Sequence, residues 1–315
     1  MSVVVANHLH RPIVEALLAA GKHVLCEKPM APTVADAEAM AEAAGKSDRV
    51  AAVGFTFRRS PAINAIREQI TGGSLGKVMH FNGHYWCDYG FDRDAPMSWR
   101  YKGGPGSGAL SDIGSHLVDL GEFLCGPVDS VRGSVLSTLI PDRPVPLGTV
   151  VGHAAGVAVS ETREPVGNED VVTFTATFAS GAVGTFSVSR IAHGLPNSLG
   201  FEVFCEGGAA AFDLARAAEF TIADGSAPEP VNGYRQVLVG PGHPYITRGL
   251  PMDFPNVGHG QNDLFVFQAR AFLDQIAGLN ELPPCPALAD GLHNMRALEA
   301  IVAAADTGGK AVKVS

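Results

Sequence analysis

The chain has 315 residues, of which 46% are hydrophobic and 17% charged, a composition typical of a globular protein with one large domain or two ordinary ones. Its net charge of −9 argues against a nucleic-acid or anionic-membrane surface, and its apolar runs are too short to predict a membrane span. Five cysteines, an odd number without a C-x-x-C pair, argue against a disulfide framework or structural zinc and favour a reducing, cytoplasmic setting.

The first sixty residues alternate between short apolar runs and helical segments. We predict strands at 3–6, 23–26 and 50–55, with helices at 12–20 and 33–45. A strand–helix–strand–helix–strand order with short connections is typical of a parallel sheet with crossover helices. Ligands bind such sheets beyond the carboxyl ends of the strands.

Polar residues follow the ends of these strands. Asn7 follows the first, Glu27 and Lys28 the second, and Arg58 the third. Pro29 has a fixed φ and favours an extended backbone at Lys28. We therefore interpret Lys28 as a side chain held toward a ligand, although a solvated loop pair is the simpler alternative.

The remainder of the chain is rich in strand and turn signals. The predicted elements are a helix at 60–72, a strand at 77–86, hairpins at 170–189 and 200–214, helices at 261–276 and 287–305, and a strand at 310–315. We expect irregular structure at 140–168 and 224–258, which are rich in Gly and Pro. The fold class is therefore α/β plus α+β, with a parallel unit at 1–58 followed by an α+β domain at 59–315 built on a large, mostly antiparallel sheet; the resemblance given below implies that this sheet is open and that the domain binds substrate and oligomerises.

A predicted helix near 109–126 carries Asp112, His116 and Asp119 at spacings i, i+4 and i+7, which place them on one face. A histidine suits proton transfer near neutral pH, and a carboxylate one turn away can accept a proton from the ring or from a substrate hydroxyl. The alternative is an aspartate favoured by the helix dipole and a histidine packed between domains. No third ligand is evident beside the Asp–His pair, so no metal is predicted.

The glycine loop at 104–109 matches the degenerate dinucleotide pattern G-x-G-x-x-A. That fingerprint follows a buried strand and opens a crossover helix, whereas "SWRYKG" precedes it here. We predict that this loop closes over a substrate and that it is not a phosphate cradle.

Nine short motifs are spread over essentially the whole chain. They are A-N-H-L-H at 6–10, G-K-H-V-L-C-E-K-P at 21–29, V-G-F-x-x-R at 53–58, W-R at 99–100, G-x-x-x-D-I-G-x-H-x-x-D at 108–119, G-N-E-D at 167–170, F-x-S-G-x-V-G-T at 178–185, F-E-V-F at 201–204 and A-D-G-L at 289–292. Together they resemble the Gfo/Idh/MocA oxidoreductases, which include glucose-fructose oxidoreductase and inositol dehydrogenase. The combination of E-K-P with D-I-G-S-H is the specific part of the resemblance.

The resemblance implies a partial Rossmann domain and hydride transfer between NAD or NADP and a hydroxyl-bearing carbon of a sugar, inositol or related polyol. It implies that Lys28 binds the reacting oxygen, that His116 is the general acid or base, and that Asp112 fixes His116 or a substrate hydroxyl. The cofactor-binding residues that it implies are Asn7, His10, Glu27, Lys28, Pro29, Trp99 and Arg100. Loops expected to face the substrate carry His84, Tyr85, Asp88, Tyr89, His259 and Asn262.

The sequence departs from the family pattern at its start. A G-x-G-x-x-G turn and the acidic residue that binds the ribose are absent from it, so the choice between NAD and NADP stays open. We therefore expect the 315-residue chain to bind NAD(P) poorly, to be unstable or associated in isolation, and to be preceded by further coding sequence.

Two alternatives to a dehydrogenase stay open. One is a non-catalytic or regulatory relative that lost cofactor binding, and the other is a nicotinamide-assisted glycosidase or lyase on the same scaffold. By analogy with the family's open sheet we expect a homo-oligomer.

Overall fold

A computed structural model describes residues 1–150, 156–249, 254, 257–279 and 281–315. The strands are β1 (Ser2–Val3), β2 (Val24–Cys26), β3 (Ala51–Val53), β4 (Val78–Trp86), β5 (Val128–Ser137), β6 (Asp142–Pro146), β7 (Val159–Pro165), β8 (Val171–Phe178), β9 (Val183–Ser189), β10 (Ser198–Cys205), β11 (Gly208–Asp213), β12 (Glu219–Asp224), β13 (Arg235–Leu238) and β14 (Val312–Lys313). The α-helices are α1 (His10–Ala19), α2 (Val34–Gly45), α3 (Pro61–Thr71), α4 (Ser115–Cys125), α5 (Pro244–Gly249), α6 (Gln261–Ile276) and α7 (Leu288–Asp306). Short 3₁₀ helices cover Asn7–Leu9, Thr56–Arg59, Trp99–Tyr101 and Leu214–Arg216, and a π-helical turn covers Leu110–Gly114. Within the described residues, none of the helices is long and apolar enough to cross a membrane.

The first sheet is parallel, with the order β1-β2-β3. Cys26 pairs with Val3 on one side and with Val53 on the other. Helices α1 and α2 connect the strands, and the Thr33 hydroxyl caps α2 by accepting the Asp36 N–H at 3.1 Å. This arrangement confirms the parallel sheet with crossover helices that the sequence predicts.

The second sheet has nine strands in the order β13-β12-β11-β10-β4-β9-β8-β5-β14. Strands β4 and β9 are parallel, and the other pairings are antiparallel. The predicted hairpins are present as β8–β9 and β10–β11. The sheet is therefore large and mostly antiparallel, as expected.

The prediction of irregular structure was wrong for part of both stretches. Strands β6 and β7 pair within 140–168, and β13 and α5 lie within 224–258. The prolines of β6 and β7 hide the strand pattern in the sequence. They are nevertheless compatible with a strand at a sheet edge, where the backbone N–H does not have to pair with a neighbouring strand. Residues 151–155, 250–253 and 255–256 of these stretches lie outside the described residues.

The carboxyl-terminal helix α7 returns to the first sheet. A side chain at Gly291 would place its Cβ 2.6 Å from the Met30 sulfur, so α7 approaches the loop after β2 closely. The Val53 N–H donates to the Pro286 carbonyl at 2.9 Å, which extends pairing beyond β3. Residues from the end of the chain therefore support the loop that contains Lys28. The predicted boundary between the two domains at residue 58 stays a prediction.

A buried ion pair joins the 3₁₀ helix after β3 to α4. The Arg58 guanidinium donates to both Asp119 carboxylate oxygens at 2.7–3.0 Å, and the two side chains are 14% and 2% exposed. Asp119 is thus committed to a structural pair. The prediction that it shares a functional face with Asp112 and His116 does not account for this partner, which is 61 residues away in the chain.

We predict that Arg58→Met lowers the free energy of unfolding by about 3–5 kcal/mol, because it leaves the Asp119 charge buried without its partner. Urea denaturation followed by circular dichroism measures this change. The matched control is Arg11→Met, which removes an exposed pair with Glu15 and Asp36 and is expected to leave the free energy of unfolding nearly unchanged. Equal losses in the two variants would contradict the prediction.

Candidate active site

A cavity of about 340 Å³ opens beyond the carboxyl ends of β1 and β2. Its wall contains every residue predicted to be catalytic or cofactor-binding except His116. The lining residues are Val4, Val5, Asn7, His10, Glu27, Lys28, Pro29, Tyr89, Trp99, Arg100, Ser107, Gly108, Ser111, Asp112, Arg190 and Phe265. The structure therefore brings residues of the E-K-P motif and of the motif at 108–119 together at the edge where an α/β sheet binds ligands.

Lys28 and Asp112 meet in this cavity. The Lys28 ammonium donates to the Asp112 main-chain carbonyl at 2.6 Å and lies 3.3 Å from its carboxylate Oδ1. Lys28 follows β2, while Asp112 lies in the π-helical turn before α4. Such turns insert an extra residue into a helix and are frequent at functional sites. Here the turn directs both a carbonyl and a carboxylate of one residue at the lysine.

The Asp112 carboxylate is ionised. Burial raises its pKa, but the nearby Lys28 charge and the Tyr89 hydroxyl, which donates to Oδ2 at 2.8 Å, outweigh burial and lower the pKa to about 2. The carboxylate is thus fixed by two partners from different segments. No hydrogen bond joins Asp112 to His116 among the described residues, so the expected fixing of His116 by Asp112 is not made directly.

His116 lies behind the cavity wall. Its side chain packs edge-on against Phe57, with ring centroids 5.0 Å apart, and it is 8% exposed. Its Nδ1 has no hydrogen-bond partner among the described residues. Burial, and then the Lys28 charge, lower the pKa of His116 well below its usual value. The ring is therefore neutral at neutral pH.

The loop that contains Lys28 is tied to the loop after β1. The His10 ring has Nδ1 3.2 Å from the Pro29 carbonyl and Nε2 3.0 Å from the Val5 carbonyl. The Glu27 carboxylate accepts the Lys28 N–H at 3.3 Å, and the Lys28–Pro29 peptide bond is cis. His10 and Glu27 thus shape the wall through their contacts with the backbone.

Trp99 and Arg100 form the opposite side of the cavity. The Trp99 ring is 56% exposed, and the Arg100 guanidinium lies 4.4 Å from its centroid. The Asn168 amide donates to the Arg100 carbonyl at 3.0 Å and holds this segment in place. Both predicted residues therefore face the cavity on a fixed backbone.

Arg190 lines the cavity and was missed by the sequence-based predictions. It forms a buried pair with Asp170 at 2.8 Å, and its Nη2 donates to the Asn168 side-chain oxygen at 2.9 Å. A single arginine at the end of a strand has no spacing signal of its own. Its contacts with the G-N-E-D motif at 167–170 and with the Arg100 carbonyl, at 3.3 Å, relate it to the site.

Of the residues expected to face the substrate, Tyr89 alone is among those that line the cavity; Asp88, His84, Tyr85, His259 and Asn262 are not. Tyr89 lines the cavity, whereas Tyr85 is buried near His116 and its hydroxyl donates to Asn197 at 2.9 Å. His84 stacks on Trp86 at 3.9 Å on the opposite face of the strand from Tyr85 and does not line the cavity, so a contact of His84 with substrate stays a prediction. Successive residues of a strand point to opposite faces, so Tyr85 and His84 cannot both face the cavity.

The glycine loop at 104–109 contributes Ser107 and Gly108 to the cavity wall. Its N–H groups donate to the carboxylate of Glu169. This agrees with the prediction that the loop is not a phosphate cradle. Within the described ranges, no group of three or more His, Cys, Asp or Glu side chains is placed to hold a metal ion.

Comparison with known families assigns both parts of the chain. Residues 1–55 match an oxidoreductase family with an NAD-binding Rossmann fold, and residues 63–211 match the GFO/IDH/MocA C-terminal domain. The levoglucosan dehydrogenase of Pseudarthrobacter phenanthrenivorans is 35% identical over 312 residues, which cover 97% of this chain and 77% of that protein. The D-xylose 1-dehydrogenase [NADP(+)] of Haloarcula marismortui is 32% identical over 138 residues, which cover 43% of this chain and 38% of that protein.

A solved structure supports the same assignment. Levoglucosan dehydrogenase in complex with NADH and L-sorbose superimposes with a TM-score of 0.89 at 34% identity. The match covers 100% of this chain and 79% of that one. The sequence motifs, the two sheets and the cavity between them thus have the same explanation: the chain is a member of the Gfo/Idh/MocA family of NAD(P)-dependent oxidoreductases.

Proposed function

We propose that this oxidoreductase transfers hydride between NAD or NADP and a hydroxyl-bearing carbon of a sugar, inositol or related polyol. The observation that carries the proposal is the contact between the Lys28 ammonium and Asp112 in the cavity, with neutral His116 beside it. Two relatives are by name sugar dehydrogenases, for levoglucosan and D-xylose, and they support this substrate class.

The chemistry of the cavity wall fits a nicotinamide cofactor. Val4 and Trp99 present exposed apolar surface suited to a flat ring, and Arg100 and Lys28 supply positive charge for phosphate or carbonyl oxygens. We propose that Asn7, Trp99 and Arg100 hold the cofactor, with His10, Glu27 and Pro29 shaping the loop against it. When bound, the cofactor accepts or supplies the hydride.

Lys28 is proposed to bind the substrate oxygen. As the hydroxyl loses its proton, negative charge develops on that oxygen, and a fixed ammonium in a partly buried site stabilises it. Lys28 is 16% exposed, so water screens this interaction only weakly. The contact with Asp112 keeps the ammonium at the carboxyl end of β2, so that the lysine side chain does not extend into solvent.

His116 is proposed to take the hydroxyl proton. A general base has to be uncharged to accept a proton, and the lowered pKa of His116 keeps it so at neutral pH. Because Nδ1 is buried, we propose Nε2 as the accepting atom, at the 8% of the residue that stays exposed. In the reverse direction the same atom returns the proton to the carbonyl oxygen.

The function is tested by incubating the purified protein with NAD⁺ or NADP⁺ and a panel of sugars and polyols that includes levoglucosan, D-xylose and myo-inositol. Reduction of the nicotinamide by at least one compound, with the carbon skeleton of the product intact, is the expected result. Bond cleavage without net reduction would favour the glycosidase or lyase alternative, and absence of cofactor binding would favour the non-catalytic one.

We further propose a reducing, cytoplasmic setting and a homo-oligomer. The five cysteines are buried free thiols, which supports the first. The outer face of the second sheet presents Phe204 stacked on His80, next to Trp86 stacked on His84, and these aromatic groups support the second.

We predict that Lys28→Ala lowers turnover about 10²-fold or more, because one fixed electrostatic donor to the reacting oxygen is lost. Steady-state rates with saturating cofactor measure the change. The matched control is Lys22→Ala, which removes an exposed lysine before the same strand and is expected to leave turnover unchanged. Near-normal turnover of the Lys28 variant would remove this residue from the mechanism.

We predict that kcat/KM for oxidation is constant near neutral pH and falls in the acid range, as His116 becomes protonated. Since its pKa is lowered, the loss occurs at lower pH than for an ordinary histidine. His116→Asn should lower the rate and abolish this limb while leaving cofactor affinity nearly unchanged. The control is His84→Asn on the outer face, which should retain the fall in rate at acid pH. If the His116 variant also retained this fall, the proton transfer would have to be assigned to another group.

A further inference from the structure

Glu169 is a buried carboxylate whose charge is met by backbone N–H groups. It is 2% exposed, and its oxygens accept the N–H of Gly106 at 2.7 Å, of Gly108 at 3.1 Å and of Leu110 at 2.9 Å. Its own carbonyl accepts the Ala109 N–H at 3.0 Å. Four N–H groups of one loop thus converge on one residue from a distant segment.

The loop has the properties of an anion-binding nest. Successive backbone N–H groups at the start of a helix form a concave site of positive partial charge, which in other proteins holds phosphate or carboxylate. Here the glycine loop at 104–109 leads into the π-helical turn, and a side chain of the same chain is the anion. Burial raises the pKa of Glu169, and the backbone hydrogen bonds oppose that effect.

Glycine is required where the two segments meet. A Cβ at Gly108 would lie 2.4 Å from the Glu169 carbonyl oxygen, and a Cβ at Gly167 would lie 2.3 Å from the Gly103 carbonyl oxygen. These distances are far below any normal contact, so the loop and the G-N-E-D segment can approach only as glycines. The close approach places the Glu169 carboxylate within reach of the N–H groups.

The contacts continue from this nest to the proposed reaction centre. The Asp112 N–H donates to the Gly108 carbonyl at 3.0 Å, and the Asp112 carbonyl and carboxylate receive the Lys28 ammonium. Glu169 therefore holds the beginning of the segment at 106–112, and the contact of Asp112 with Lys28 holds its end. The Arg100 carbonyl accepts from both the Asn168 amide at 3.0 Å and the Arg190 Nη1 at 3.3 Å, and the Asn168 amide also donates to the Ser107 hydroxyl of the loop at 3.2 Å.

We propose that Glu169 is a positioning residue of this oxidoreductase: its carboxylate fills the anion nest of residues 106–110 and so fixes Asp112 and, through it, Lys28. The inference rests on the proposed function of Lys28, and it adds a residue that touches neither substrate nor cofactor. The carboxylate charge is essential to the role, because an amide at this position would turn an NH₂ group toward N–H donors.

The test compares Glu169→Ala and Glu169→Gln with wild type and with Glu161→Ala, which removes an exposed glutamate of the preceding strand. Both Glu169 variants should lose about 10-fold or more in kcat, since a small displacement of a catalytic group is enough for such a loss. KM for the nicotinamide cofactor should change little, because the Trp99–Arg100 segment keeps its own anchor. Glu161→Ala should behave as wild type.

Formate, a small carboxylate, is the probe for the emptied nest. Formate should restore part of the kcat of Glu169→Ala. It should also raise the melting temperature of Glu169→Ala more than that of wild type or Glu161→Ala. It should have no such effect on the kcat of Lys28→Ala. The melting readout needs no activity, so it tests occupancy of the nest even if no sugar in the panel is oxidised.

Two results would overturn the proposal. One is a folded Glu169→Gln enzyme with unchanged kcat, which would show that the negative charge in the nest is not needed. The other is equal stabilisation by formate of Glu169→Ala and wild type, together with no recovery of kcat, which would show that the loop does not bind an anion. If Glu169→Ala does not fold, Glu169→Gln retains the side-chain volume and decides the question through kcat.

Discussion

The contact between Lys28 and Asp112 is the interaction on which the rest of the site depends. The lysine follows a strand of the parallel sheet, and the aspartate lies 84 residues later in the turn that leads into α4. An ammonium and a carboxylate in a partly buried cavity attract each other strongly, and this attraction joins the two parts of the chain at the point where ligands bind. The surrounding contacts keep the pair in one geometry: His10 and Glu27 hold the lysine loop, while Tyr89 and Glu169 hold the aspartate turn.

Buried charge below the cavity gives that geometry a rigid support. Arg143 and Arg190 are almost fully buried, and their guanidinium groups lie 3.9 and 4.7 Å from the Tyr101 ring centroid. Arg190 is neutralised by Asp170, whereas Arg143 donates to the main-chain carbonyls of residues 90 and 92. Displacing the loops that carry these acceptors would leave further buried guanidinium donors unpaired, which is costly. The segments around Tyr101, Arg143 and Arg190 therefore resist deformation.

Local departures from regular structure occur where the site needs them. The π-helical turn at Leu110–Gly114 shifts Asp112 out of the regular helical position that its spacing from His116 implies. The result is that Asp112 interacts with Lys28 and Tyr89, while His116 stays in an apolar layer against Phe57. The two residues that look like a single acid–base pair in the sequence thus have separate environments: one is kept ionised by its partners, and the other is kept neutral by burial.

Most of the helices and strands, and the chemistry of the motifs, follow from patterns of neighbouring residues in the sequence. Periodicity predicts α2 and α6, and alternation predicts the hairpins of the second sheet, because these signals depend on neighbours in the chain. The E-K-P and D-I-G-S-H motifs identify Lys28 and His116 as candidates. Only the tertiary structure decided which charges meet: Asp119 with Arg58, Glu169 with the glycine loop, and α7 against the loop after β2. These partners lie tens to hundreds of residues apart, and neither their burial nor the resulting pKa shifts are encoded in local spacing, because desolvation depends on everything that packs around a group.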